Sequence, residues 1–406
     1  MRWPAPKISE ITNVISGGTP KSGVAEYWEG DVEWITPKDM GKMSGIYVSD
    51  TSRKISKLGL QKSSAKLISE NSVILSTRAP IGHLAINTVP MATNQGCRGL
   101  EPKDNLETKY LYYFLLNSVE LLNKLGSGTT FKELSKGALG KVCVPLPAVL
   151  EQKRIVAILD KAFAEIEQAR ANTEQNLKNA RELFESYLQQ VFSQRGEGWV
   201  DKNLNDLCHF ENGDRGKNYP SRSKFVDSGI AFINAGHIDD GNIDLSKMNY
   251  ISEDTYELLG RGKVQAGDVL FCLRGSLGKF AVVQASMRGA IASSLVIIRP
   301  HSDLSVQFLL HYLRSGLCKV MIDKYAAGAA QPNLGAKDLA KFAISVPPKD
   351  QQKDTSDILN TLMAEIESLE RVYHRKLGSI DELKKSILQK AFTGELTKEE
   401  SKGVAA

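Results

Sequence analysis

Apolar or small residues recur at spacings of mostly three and four along two long stretches of the chain. In the first they fall at Ile155, Leu159, Ala162, Ile166, Ala169, Thr173, Leu177, Ala180, Phe184 and Tyr187. In the second they fall at Leu359, Leu362, Ile366, Leu369, Tyr373, Leu377, Ile380, Leu383 and Ile387. This is a heptad seam, with Leu159, Ile166, Leu177, Leu359, Ile366 and Leu377 as seam positions. Each stretch follows a proline, Pro147 or Pro348, and precedes a glycine, Gly196 or Gly394, that reads as a helix stop. The pattern predicts two helices of about 42 residues, each roughly 60 Å long at 1.5 Å per residue. A helix with one apolar stripe must bury it, and the nearest matching stripe is on the other helix. The expectation is one intramolecular antiparallel coiled coil; the alternative is that each helix packs on its own domain.

The stretches before the helices repeat as well. Val73-Ile74-Leu75-Ser76-Thr77-Arg78 matches Val269-Leu270-Phe271-Cys272-Leu273-Arg274 at an offset of 196, and Gly82 and Gly278 stand at the same distance beyond each Arg. Gly128, Leu134, Leu139 and Lys141 recur as Gly328, Leu334, Leu339 and Lys341 at an offset of 200. Gln152-Lys153, Ile158-Leu159, Leu188-Gln189 and Phe192 recur at that same offset of 200. A period this long is too great for a solenoid and marks a duplicated domain. Short runs of branched or aromatic residues read as strands: Ser72 to Ser76, Asp268 to Cys272, Val142 to Pro145 and Phe342 to Val346. Helical stretches lie around Lys109 to Lys124 and Ser305 to Ile322. The fold class is therefore α+β, a pseudo-two-fold duplication. Two globular domains (1–147 and 196–348) alternate with two long helices (148–195 and 349–396), and a flexible tail (397–406) closes the chain.

The chain has 406 residues, a net charge of +5 and 42% hydrophobic residues, ordinary values that permit nucleic-acid binding without arguing for it. Five cysteines without a CxxC pair argue against a disulfide framework or a zinc site and for a reducing cytoplasm. No signal-peptide run opens the sequence, and no stretch is apolar enough to span a bilayer. The Gly-Lys pairs at 41, 140, 216, 262 and 278 lack the Ser or Thr of a phosphate loop. Neither GxGxxG, HExxH nor the acidic-Pro-Pro-aromatic run of an amino-group methyltransferase is present. Glu151-Gln152-Lys153 could be the end of a nuclease motif, but its copy is Gln351-Gln352-Lys353. A duplicated metal site should keep its carboxylate, so these residues read as a helix start.

Several runs together resemble a known family. They are Ser16-Gly17-Gly18-Thr19-Pro20, Tyr27-Trp28, Trp34-Ile35-Thr36-Pro37-Lys38-Asp39-Met40, Arg78-Ala79-Pro80-Ile81-Gly82 and Asn94-Gln95-Gly96. With Pro147 to Lys153 and Leu388 to Leu396, they are similar to the specificity subunits of type I restriction-modification systems. The resemblance covers nearly the whole chain. It implies two target-recognition domains held apart by a helical spacer, each reading one half of a split site in double-stranded DNA. It implies partners: two modification (methyltransferase) subunits that bind S-adenosylmethionine and methylate adenine, and restriction subunits that use ATP and Mg²⁺. No cofactor and no catalytic residue would then belong to this chain. The second domain departs from the pattern, with Phe210-Glu211-Asn212-Gly213 in place of the Gly-Gly-Thr-Pro run and Ser293-Ser294 where Thr93-Asn94-Gln95 stands in the first. A non-DNA-binding duplicated scaffold and a nuclease fused to a recognition domain are the rival readings.

Candidate DNA contacts are polar residues at strand ends and in Gly-containing loops. Arg78 and Arg274 close matched strands, where an Arg binds guanine, holds a phosphate or ties down a loop. The loops Gly126 to Lys132 and Ala327 to Asn333 offer Thr129, Thr130, Lys132, Gln331 and Asn333 as donors beside glycines that admit close backbone approach. An ordinary surface turn is the other reading. Lys38 and Asp39 match Asn234 and His237 at strand ends, and Arg222 and Lys224 stand in a basic loop of the second domain alone.

Overall fold

The computed structural model of the chain describes residues 3–128, 132–193, 196–239, 241–328 and 332–398. These fall into two compact units, residues 1–173 with 375–406, and residues 174–374. The division does not follow the boundaries 1–147, 148–195, 196–348 and 349–396, because each unit takes half of each long helix.

In the first unit a five-stranded sheet runs, edge to edge, Thr12–Ser16, Cys97–Pro102, Val73–Thr77, Ile81–Asn87 and Tyr47–Val48. Its central strand, Val73–Thr77, is buried on both faces, which explains its unbroken apolar run. Val73 and Leu75 face one core with Tyr110, Leu111 and Phe114. Ile74 faces the other, with Ile35, Met40 and Cys97. A second, three-stranded sheet is ordered Lys54–Ile55, Trp28–Ile35, Met91–Thr93.

The second unit repeats this plan. One four-stranded sheet is ordered Cys208–Asn212, Leu295–Pro300, Val269–Cys272, Phe280–Val282, and another Phe225–Val226, Asn249–Ile251, Ile230–Ile233, Gly289–Ile291. The duplication extends to register: Ser16 pairs with Arg98 as Asn212 pairs with Val296, in both cases antiparallel. Two details differ from the strand and helix expectations. Ala343–Val346 pairs with Val200–Asn203 as a regular strand, whereas its counterpart around Val142 pairs irregularly with residues 4–8: the Ile8 N–H donates to the Val142 carbonyl, the Val144 N–H to Pro6 and the Leu146 N–H to Pro4, each at 2.8 Å. Each helical stretch is two helices: Thr108–Asn117 and Val119–Leu125 in one unit, Val306–Arg314 and Gly316–Tyr325 in the other. The break in the second falls at Ser315, whose side chain caps the following helix by accepting from the Cys318 N–H.

The long helices span Val149–Ser193 and Lys349–Thr393, 45 residues each. Within the first unit Glu167 meets Lys384 at 2.9 Å, and Arg170 meets Asp381. As the residue number rises by three on one helix it falls by three on the other, so the strands of this coiled coil are antiparallel. Within the second unit Arg181 meets Glu370 at 2.5 Å, in the same antiparallel sense. The duplication relates Arg170 to Glu370 and Asp381 to Arg181, so equivalent pairs carry reversed charges. Pairing either helix with its own twin in this register would set Arg against Arg or Glu against Asp. Exposed ion pairs contribute only about 0.2–1 kcal/mol each, so their role is to choose partner and register, while the seam provides the stability. Leu159 and Ile166 are buried in the first unit with Leu388 and Phe392. Leu359 is buried in the second with Leu188 and Phe192, and Ile366 is buried too. Leu177 and Leu377 are half-buried. Gly394 has φ +78 and ends its helix in the left-handed conformation that favours glycine. Gly196 is not in that region; beyond the first helix it is Gly198, at φ +81, that turns the chain.

Buried His311 gives the second unit a pH response. Burial, and then the charge of Arg314, push its pKa down to about 4. The unfolded chain takes up a proton near pH 6.5 that the folded one refuses. Stability is therefore complete above pH 6.5 and falls as the pH drops toward 4. Denaturant unfolding at pH 4.5 should show a loss of roughly 2–3 kcal/mol relative to pH 7.5 from this group. His311→Gln should remove that part of the slope.

Candidate nucleic-acid interface

The matched strand ends and loops meet in each unit. Arg78 forms an antiparallel bridge with Glu133, and Arg274 forms one with Asn333. The loop leaves and rejoins itself by bridges from Ser127 to Glu133 and from Ala327 to Asn333. The Leu134 N–H then donates to the Thr77 carbonyl, and the Leu334 N–H to the Leu273 carbonyl, both at 2.9 Å. Gly128 and Gly328 occupy equivalent left-handed positions, φ +117 and +98, where a β-carbon would be strained. The structure thus brings Arg78 beside the loop that carries Lys132, and Arg274 beside the loop that carries Asn333. Lys132 and Asn333 are exposed. Thr129, Thr130 and Gln331 lie outside the described residues.

The same frame holds different side chains. Arg78 faces Glu133 at 3.8 Å, and Arg98 approaches the same carboxylate at 3.7 Å. Arg274 instead donates to the Ser293 carbonyl at 3.0 Å, and Arg215 donates to that same oxygen at 3.3 Å. Arg215, Arg261, Arg274 and Lys337 line one groove of about 540 Å³. Reading the sequence by its repeats misses Arg215, Arg261 and Lys337, because none has a basic counterpart in the first copy. Both Arg-bearing loops contain glycines, and Asp214 ties them together by accepting from the Gly216 N–H at 2.8 Å and the Gly260 N–H at 3.0 Å.

Two candidates hold turns in the structure. Asp39 is a helix cap: its carboxylate accepts from the Thr36 N–H at 2.9 Å, the Thr36 hydroxyl at 2.7 Å and the Ser52 hydroxyl at 2.5 Å. Burial pushes its pKa up, but the hydrogen bonds from Ser52 and Thr36 outweigh this and hold it below the ordinary value. His237 is the matching cap of the second copy. It is only 4% exposed, and its Nδ1 accepts from the Asn234 N–H at 3.2 Å. Burial lowers its pKa, so it is neutral and enclosed at neutral pH. The repeat that paired these residues was real, but it reports a shared turn. His237 is enclosed within its domain, and half-buried Asp39 is engaged by three hydrogen bonds from Thr36 and Ser52.

Lys38 is exposed beside Asp39. The Asn234 side chain accepts from the Gly236 N–H at 2.8 Å, which leaves its amide donors uncommitted. It lines a cleft of about 710 Å³ with Arg222, Tyr219, Phe225, Phe232 and Asn249. Arg222 and Lys224 sit exposed on a single 3-10 turn. In the first unit Arg53 stacks 3.7 Å from the ring centre of Trp28, which forms an edge-on pair with Trp34.

No group of three His, Cys, Asp or Glu side chains among the described residues could hold a metal. Burial pushes the thiols of Cys97, Cys208, Cys272 and Cys318 up to about 12, so they are protonated at neutral pH. Among the described residues, no helix is long and apolar enough to cross a membrane.

A duplicated α+β chain with two unlike copies of one polar strand-and-loop frame is the class that fold and site define. The chain belongs to the family of type I restriction modification DNA specificity domains, whose model matches residues 2–175 and 196–373. The type I restriction enzyme MjaIX specificity subunit of Methanocaldococcus jannaschii is 27% identical over 98% of this chain and 94% of its own length. The EcoBI specificity subunit of Escherichia coli is 26% identical over 76% of this chain and 70% of its own. The fold is shared with a chain from a structural study of complex assembly and conformational transition of the type I R-M system. That match has a TM-score of 0.80 at 20% identity and covers 97% of this chain and 98% of the other. The HsdS subunit from Thermoanaerobacter tengcongensis matches with a TM-score of 0.62 at 20% identity over 97% of each chain.

Proposed function

We propose that this chain is the DNA-reading subunit of a type I restriction-modification complex, each recognition domain binding one half of a split duplex site. The observation that carries this reading is the duplicated frame at Arg78 and Arg274, held by matching backbone bridges and differing in its side chains. Two readers of unlike half-sites need a common scaffold and divergent contacts. Lys38, Lys132, Arg222, Lys224, Asn234, Arg274 and Asn333 are the contacts with accessible donors, and Arg78 contributes from beside Glu133. Catalysis belongs to partners. Two modification subunits dock on the long helices and bring S-adenosylmethionine, restriction subunits bring ATP and Mg²⁺, and the complex works in the cytoplasm. The helices set the gap between half-sites.

The test is binding of the full chain to a randomised duplex library, followed by sequencing of the selected fragments. Two short motifs separated by a fixed unspecified gap are expected, with affinity that falls as salt rises. Absence of salt-dependent duplex binding would favour the scaffold reading.

A further inference from the structure

The second unit holds a cluster of positive charge in which no cation forms an ion pair with a described carboxylate. Arg215, Arg261, Arg274 and Lys337 share one open groove, and all but half-buried Arg274 are exposed. The guanidinium groups of Arg215 and Arg274 converge on a single carbonyl, that of Ser293. Like charges held this close repel each other unless an anion joins them. Two acids are close: Asp338 lines the groove and pairs with Lys341 at 2.8 Å, and Asp214 accepts from the Gly216 and Gly260 N–H groups. Asp214 does feel the charge of Arg261, but among the described residues none of the four cations has a carboxylate within 4.0 Å.

The first unit carries the opposite solution on the same frame. Where Asn333 bridges Arg274, Glu133 bridges Arg78, and its carboxylate also meets Arg98. The positions of Arg215 and Lys337 are held by Thr19 and Gly137 at the repeat offsets, and the Thr19 hydroxyl is bonded to Gln95. The first copy closes its arginines on an internal acid, and the second leaves them open.

We propose that the groove of Arg215, Arg261, Arg274 and Lys337 is a binding site for the phosphodiester backbone of duplex DNA, and that Glu133 denies the first copy an equivalent site. The proposal rests on the DNA-reading function and adds an asymmetry to it. This groove gives the second domain a sequence-independent, salt-sensitive hold that the matching frame of the first domain lacks. Guanidinium groups suit this role because their planar donors match phosphate oxygens two at a time.

The test uses the full chain and a labelled duplex of random sequence, with binding followed by fluorescence anisotropy from about 50 to about 300 mM salt, the range over which counterion release is read. Arg215→Gln with Arg261→Gln should flatten the slope of log affinity against log salt by about two units, since each phosphate contact contributes about 0.9. Asn333→Glu, which imports the acid of the first copy, should flatten it by about one unit, and Glu133→Gln should steepen it. These side chains are exposed or partly exposed, and unchanged thermal unfolding of each variant checks that it is folded. A salt-dependent wild type whose slope the double substitution leaves unaltered would overturn the groove and leave the DNA-reading function standing. A changed sequence preference at constant slope would also overturn it, in favour of base reading. Competition by millimolar inorganic phosphate at constant ionic strength would overturn it in favour of a small-anion site. A wild type with no salt-dependent binding at all would remove the function and the groove together.

Discussion

Replacing Gln152 with alanine is expected to destabilise the first unit by about 3–5 kcal/mol, and Gln352→Ala the second by a similar amount. Gln152 is fully buried where the first long helix begins. Its Nε2 donates to the carbonyls of Asn105 and Pro147, both at 2.9 Å, and its Oε1 accepts from the Glu107 N–H at 2.9 Å. Gln352 repeats the pattern: its Nε2 donates to Asp303 at 2.8 Å and Pro347 at 3.1 Å, and its Oε1 accepts from the Ser305 N–H at 2.8 Å. One amide thus clamps the loop before a domain helix to the root of a long helix. Alanine would leave buried backbone donors and acceptors unpaired, and each costs about 1–3 kcal/mol. Glutamate would put a charge in the same place and could not donate to two carbonyls. Denaturant unfolding, with hydrogen exchange at Glu107 and Ser305, reads the two units separately. Losses below about 0.5 kcal/mol would show that water replaces the amide without penalty.

This clamp also shows why the Gln-Lys repeat is legible while its meaning is not. Gln152 and Gln352 stand out in the sequence because both copies keep them, and the loss of the acid at position 351 argues correctly for a helix start. That the amide would be buried and three-fold bonded depends on Asn105, Glu107, Asp303 and Ser305, which lie more than forty residues away in the chain. The same division runs through the candidate site. The seam at Leu159, Ile166, Leu359 and Ile366 follows from periodicity, because a long helix imposes its own spacing. The strands Val73–Thr77 and Val269–Cys272 follow from branched apolar runs. The pairing of His237 with Asp39 is visible as a repeat, but burial decided the role, and burial comes from tertiary packing. Arg215 and Arg261 are 46 positions apart and line one groove because Asp214, Glu211 and Asn218 tie their segments together, contacts with no local signature.

Inserting one heptad into both long helices is expected to change the DNA target itself. On the proposed reading these helices set the gap between half-sites. Seven residues add about 10 Å at 1.5 Å per residue, close to the rise of about three base pairs at 3.4 Å each. A whole heptad in each helix keeps the seam in phase, so the core around Leu159 and Leu359 is preserved. Selection from a randomised duplex library should return the same two half-sites with two or three more unspecified base pairs between them, and binding to the original spacing should be lost. Inserting a single four-residue turn in one helix alone would instead misalign Arg170 with Asp381 or Arg181 with Glu370, and binding at any spacing should weaken. An unaltered gap in the heptad variant would mean that something other than the helices measures the DNA.

The central claim, that this chain tells a partner methyltransferase which split sequence to modify, is tested most directly by mapping adenine methylation across the genome of cells with and without the gene. One bipartite motif, two short specified segments around a fixed gap, should lose its methylation when the gene is removed and regain it when the gene is restored. An identical methylation map in both cells, in a background where the modification subunits are expressed, would contradict the account.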